Sequence, residues 1–180
     1  MKKNLFTSIV AIVIGGFFAS SIVADERHDH DTLVKFKGGI GVHPISNVTV
    51  VPGPPLAVTV TQNIVRGVNP AGQLWMIDKL HARVKTNGEI KVIGKGLILA
   101  GGNSAGRTTE QMVFATLICE AAAPFIEHST DPADVPLSTE GDFEIDDVLE
   151  PPPSGCDNPM LLIRTAGSGN WFAVGIPDLD

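Results

Sequence analysis

This 180-residue chain contains no tyrosine, two tryptophans and eight phenylalanines. A transmembrane barrel needs aromatic girdles at two interfaces, and this composition does not supply them. The same scarcity argues against a sugar-binding platform of exposed rings. Trp75, Trp171 and Phe172 could line one, but core packing is the ordinary use of aromatics in a small β-protein.

Cysteine is nearly as scarce. Cys119 and Cys156 lie too far apart for a zinc knuckle or a redox Cys-x-x-Cys motif. A single structural disulfide is expected instead, and a loop of that length corresponds to about 4 kcal/mol of stabilisation in the chain-entropy treatment. Basic residues are few as well: 13 Lys and Arg against 20 Asp and Glu. A net-acidic surface repels phosphate backbones, so nucleic-acid binding is disfavoured. The imbalance is also uneven. The 66–107 stretch holds seven basic residues against Asp78 and Glu89, whereas 120–180 holds thirteen acidic residues against Arg164 alone. Two solvated faces are the simple reading, and steering towards a protein partner or a second copy is the sharper one.

Only one apolar run reaches membrane-spanning length, and it stands at the start. Lys2 and Lys3 precede the uncharged, largely apolar run from Leu5 to Phe18. Small residues then collect at Ala19, Ser20, Ser21 and Ala24, and charge begins at Asp25. That order is the pattern of a secretory signal peptide, with cleavage expected after Ala24. An uncleaved anchor is the competing reading, since 20 apolar or small residues can cross a bilayer. Gly15-Gly16 and the small residues favour cleavage. No cysteine near the cut suggests a lipoprotein, and no Arg pair suggests twin-arginine export. The expected organisation is a signal peptide at 1–24, a polar tail at 25–32 and one domain at 33–180, working in the periplasm or outside the cell. No membrane span is expected after cleavage. Without Lys2 and Lys3 the balance is 11 basic to 20 acidic residues, a net of −9.

Beyond Leu33 the pattern is that of strands. Leu33–Lys37, Ser46–Val51 and Leu56–Gln62 are short and rich in β-branched residues, with Pro52-Gly53-Pro54-Pro55 as a turn. In Lys79–Lys85, Leu80, Ala82 and Val84 alternate with polar residues, and Glu89–Ala100 follows Asn87-Gly88. A two-residue loop would set Val84 against Lys91. A three-residue Thr86-Asn87-Gly88 loop pairs Val84 with Ile90, Ala82 with Val92 and Leu80 with Gly94, placing Gly88 in the left-handed conformation. Its drawback is Arg83 opposite Lys91. Gln111–Cys119 could be helix or strand, and Val113, Thr116 and Ile118 tilt it to strand. Ala121 to Ser138 reads as loop, interrupted by three prolines. Phe143 and Ile145 alternate with acids, and Met160–Thr165 and Trp171–Ile176 flank a second glycine-rich hairpin turn. The expectation is an all-β fold, a β-sandwich of about eight or nine short antiparallel strands.

Four groups of residues invite a chemical reading. Gly102-Asn103-Ser104-Ala105-Gly106 follows a strand and resembles the G-x-S-x-G serine motif of α/β-hydrolases over those five residues. That resemblance implies a nucleophilic Ser104 in a small exported hydrolase. Such an elbow needs a helix behind it and a parallel sheet beneath, and the only later histidine is His128, so a glycine-rich connecting loop is the alternative. Gly101 to Thr108 also approaches a phosphate-binding loop, but Arg107 stands where the lysine belongs. His28 and His30, with Asp29 and Asp31, offer imidazoles for Cu or Zn if a third ligand appears, and otherwise form a solvated tail. Asp142, Glu144 and Asp146 share one face of a strand and could offer oxygens to Ca, although roughly 7 Å per step is wide for one ion. The stretch Gly141-Asp142-Phe143-Glu144-Ile145 resembles prealbumin-like carrier modules over five residues. No cofactor motif is present. The function expected is that of an exported, non-enzymatic β-protein with a binding or structural role; the alternatives are a hydrolase using Ser104 and a periplasmic metal binder using His28 and His30.

Overall fold

The structure is a computed structural model that describes residues 31–132 and 135–179. The expected signal peptide at 1–24 and the residues His28 and His30 lie outside the described residues. The described chain is all-β, with antiparallel pairing throughout its sheets and no helix. No helix among the described residues is long and apolar enough to cross a membrane. In chain order the strands are β1 (Thr32–Gly41), β2 (Ile45–Val51), β3 (Ala57–Gln62), β4 (Trp75–Met76), β5 (Lys79–Lys85), β6 (Glu89–Lys95) and β7 (Ile98–Leu99). They continue with β8 (Met112–Ile118), β9 (His128–Ser129), β10 (Val135–Pro136), β11 (Phe143–Val148), β12 (Met160–Thr165) and β13 (Trp171–Asp178).

The β5–β6 hairpin has the register that the alternation requires. Val84 pairs with Ile90, Ala82 with Val92 and Leu80 with Gly94, and Arg83 faces Lys91. Gly88 has φ +91°, and its N–H donates to the carbonyl of Lys85, so the loop is the three-residue form. The side chains of Lys85 and Glu89 close over it as an ion pair. Leu80, Val84, Ile90 and Val92 face the interior, fully buried, while Lys79, His81, Lys91 and Lys95 face water. Period-two alternation thus decides which face of each strand is dry.

Hydrogen bonding runs unbroken through eight strands in the order β10-β8-β12-β13-β1-β5-β6-β11. The strands therefore form one continuous sheet, curved until its two ends approach. The gap between β8 and β11 is bridged twice. β9 pairs with β8, and Ser129 exchanges two backbone hydrogen bonds with Glu150 just beyond β11. β10 also pairs with β8, and Ser138, just after β10, donates to the carbonyl of Asp142, just before β11. The result is a nearly closed, barrel-like sheet with few free edges. The 121–138 stretch, expected as loop, supplies both closing segments. Its prolines interrupt pairing with β8 without preventing it, because single ladder bonds can form on either side of them.

β6 stops at Lys95, earlier than the apolar pattern suggests. Gly96 takes φ +66°, where an added Cβ would sit 3.0 Å from the Asp78 Cβ, and the chain leaves the barrel so that β7 can pair with β4. β8 is buried along both faces from Val113 to Ile118. One face meets the barrel interior, and the near-continuous apolar run is what such a position demands. Cys119 and Cys156 form the expected disulfide, with Cα atoms 4.6 Å apart. Beside it, Arg66 Nη1 donates to the carbonyls of Ile118 (2.8 Å) and Asn158 (2.6 Å). This contact ties the long connection between β3 and β5 to the disulfide-linked end. Desolvation there lowers the Arg66 pKa from its usual value, an effect partly offset by the Glu120 charge.

Candidate functional site

Three connections meet at the end of the barrel where β12 turns into β13. They are the segment leading into β4, the glycine-rich 100–111 loop after β7, and the turn at 166–170. Between them lies an open cleft of about 270 Å³. Its aromatic wall is Trp75 stacked on Phe172, with ring centroids 4.1 Å apart and planes 17° apart. Its polar lining includes Ser104, Thr109, Gln111, Thr165, Ser168 and Asn170. Two features that looked independent in sequence, the serine loop and the aromatic residues, therefore share one site. All three rings are buried, as core packing requires, and Trp171 Nε1 donates to the Asn63 carbonyl at 3.2 Å.

The polar lining is held by its own hydrogen bonds. Thr165 Oγ1 donates to Gln111 Oε1 at 2.9 Å, and Gln111 Nε2 donates to the Thr109 carbonyl at 3.3 Å. Backbone bonds from Gly106 to Leu99 and from Arg107 to Ser104 shape the serine loop. Ser104 itself is half-buried. Next to it the backbone is strained: Thr109 and Glu110 have φ +53° and +55°. The N–H of Gln111 donates to the Thr108 carbonyl at 3.3 Å across this pair. Two consecutive left-handed residues closed by such a bond make a type I′ turn, which ordinarily calls for Asn-Gly. A β-branched threonine there is a conformational outlier, and such outliers concentrate at functional sites. Thr109 lines this cleft and also an adjoining one formed by Ser104, Arg107, Glu110 and Thr139.

His128, the only histidine after Ser104 in the sequence, lies away from it. His128 sits on β9 at the barrel seam, buried, with its Nδ1 2.6 Å from the Pro151 carbonyl oxygen. Among the described residues the cleft lining contains no His, Asp or Glu. The chain folds as a curved antiparallel sheet with no helix behind the 100–106 turn, so the structural setting of an α/β-hydrolase elbow is missing among the described residues.

The acidic residues of β11 are engaged in other ways. Lys91 Nζ lies 2.7 Å from Glu144 Oε1 and 3.4 Å from Asp146 Oδ2, so an ammonium group stands between two of the three carboxylates considered for Ca. Its hydrogen bonds to both carboxylates raise the Lys91 pKa. Asp142 Oδ1 accepts from the Gly96 N–H at 3.1 Å, at the turn that ends β6. No cluster of three or more metal-binding side chains occurs among the described residues.

Comparison of the chain with family models, curated proteins and solved structures finds no match. The site must therefore be read from its own chemistry. Gln111, Thr165 and Asn170 carried no signal in the sequence, since each is an ordinary polar residue in a separate segment. The glycine-rich loop after a strand and the pair Trp75 and Phe172 were the legible hints.

Proposed function

We propose that this is an exported, non-enzymatic binding protein whose cleft at the β12–β13 end holds a neutral, hydroxyl-rich small molecule such as a saccharide or polyol. The observation carrying this reading is the lining: hydroxyl and amide groups over a stacked aromatic wall, with no titratable side chain among them. Neutral donors and acceptors suit a neutral polar ligand, and the buried Trp75–Phe172 pair gives them a fixed floor. A nucleophilic Ser104 would need a base hydrogen-bonded to it; this cleft lining has no His, Asp or Glu, and Glu110 lines only the adjoining cleft. Export rests on the leader pattern and agrees with the Cys119–Cys156 bridge, since disulfides persist in oxidising compartments. We read the curved sheet as a flattened, sandwich-like barrel. One hydrophobic cluster joining residues from β1, β5 and β6 to residues from β8, β12 and β13 supports that reading.

Titration with a panel of neutral saccharides and polyols, followed by tryptophan fluorescence and calorimetry, tests the binding role. Saturable binding that weakens at least tenfold in Gln111→Ala is expected, with no turnover in an ester and peptide screen. Hydrolysis abolished by Ser104→Ala would overturn the reading, as would the absence of binding across the panel. Intact-mass measurement tests export: a mature chain beginning at Asp25 is expected, and a mass that retains residues 1–24 refutes it.

A further inference from the structure

β2 and β3 pair only with each other, forming a two-stranded ribbon that stands clear of the barrel. Every residue of both strands is exposed. Their register places Val48 opposite Val60 and Val50 opposite Val58 on one face, and Thr49 opposite Thr59 and Asn47 opposite Thr61 on the other. The four valines are 52–58% exposed. Such alternation belongs to a strand pair with one face buried, and an isolated hairpin of this length is marginal in water. The ribbon is therefore built to be covered.

We infer that the valine face is the contact surface for a second copy of this chain. Residues 45–65 contain no charged side chain, in a protein of 20 acidic and 13 basic residues. A partner recognised by charge would find nothing here to steer it. Two copies of an acidic chain repel over most of their surfaces, and the ribbon is a segment where they can meet without burying charge. The face is also self-complementary: valine pairs stack on valine pairs about a twofold axis.

Area sets the geometry. One face of six paired residues measures roughly 20 by 10 Å, so two stacked faces hide about 400 Å², against the about 1,200 Å² of a stable specific interface. An antiparallel stack, the tip of one ribbon over the root of the other, adds apolar surface at both ends. Leu56 at the tip is 63% exposed, and Ile40, Ile45 and Ile64 near the root are 59%, 40% and 53% exposed. The valine faces alone fall well short of that range, so the dimer is weak, reversible and dependent on concentration.

Sedimentation velocity on the purified protein, from about 1 to about 100 µM, reads this directly. The natural chain shifts from monomer to dimer across that range, while Val48→Thr, Val50→Thr, Val58→Thr and Val60→Thr combined keeps it monomeric with an unchanged melting temperature. Threonine preserves shape and β-branching, so the ribbon's local preference survives. Val60→Lys alone gives the same loss if the combined variant fails to fold. A natural chain that stays monomeric throughout overturns the proposal. So does a dimer of equal strength in the variants, or a monomer that co-sediments with phosphatidylcholine vesicles through the same valines.

Discussion

Trp75 lies stacked on Phe172, and both are clamped to Val42: the Val42 N–H donates to the Phe172 carbonyl, and the Trp75 N–H donates to the Val42 carbonyl. The stack thus joins β4 to β13 across the end of β1 and forms the floor of the polar cleft. Both rings are at least 95% buried. Phe172→Ala should cost about 3–5 kcal/mol, the usual range for deleting a buried aromatic. Phe172→Leu should cost less and lower saccharide affinity by loosening the floor on which the polar lining rests. Urea unfolding curves paired with ligand titration separate the two effects. A Phe172→Ala loss below about 1 kcal/mol would mean that the stack bears little of the packing.

Phe143 covers Gly94, its cross-strand partner between β11 and β6. A Cβ on Gly94 would sit 2.1 Å from the Phe143 ring. Gly94→Ala is therefore expected to destabilise by about 1–3 kcal/mol through overpacking. Phe143→Leu alone should also destabilise, but the double variant should recover part of the Gly94→Ala loss, because the smaller side chain makes room. A double-mutant cycle that is additive within about 0.5 kcal/mol would rule out the steric cause.

The contrast between these elements explains what could be read in advance. Leu80, Val84, Ile90 and Val92 announce their hairpin locally, through period-two alternation around a glycine turn, and the structure carries that register. The pairing of β1 with β13 joins residues more than a hundred positions apart, and nothing in either strand names its partner. The single curved sheet was invisible for that reason. The two short closing strands, β9 and β10, were hidden by the prolines around them, whose usual meaning is loop. The site was half-legible: Ser104 stood out by its glycines, whereas Gln111, Thr165 and Asn170 come together only through the pairing of β8 with β12 and the turn into β13.

Acid and alkali should unfold the protein through different groups. Glu89 is held below the usual carboxylate range by hydrogen bonds from Lys85 and Asn87, Glu120 by the Ile126 N–H, and Glu140 by the Thr139 hydroxyl. Each has a folded pKa below its unfolded value near 4.3, so its contribution is present above that pH and is lost as pH falls through the folded value. Lys91, raised by Glu144 and Asp146, behaves oppositely: its contribution is present below its unfolded value near 10.4 and disappears as pH rises through the folded one. Urea midpoints should fall at both extremes, and Lys91→Met should remove part of the alkaline decline. All four groups are exposed, so about 0.5 M salt should shrink both effects. An alkaline limb identical in Lys91→Met would refute the assignment.

The Thr109-Glu110 turn offers the sharpest separation of stability from function. Both residues occupy the left-handed region at a position where Asn-Gly is the unstrained choice. Left-handed backbone costs roughly 1–2 kcal/mol for an ordinary residue, so Thr109→Asn with Glu110→Gly should raise stability by about 1–2 kcal/mol. A stabilising double substitution on an exposed turn is uncommon, which makes the sign itself informative. Thr109 also presents its side chain to the cleft and its carbonyl to Gln111 Nε2. If the strain serves ligand binding, the stabilised variant should bind saccharide several-fold more weakly, despite melting at a higher temperature. Higher stability with unchanged affinity would leave the strained turn without a part in binding. Lower stability would show that the side chains of Thr109 and Glu110 contribute more than their backbone conformation costs.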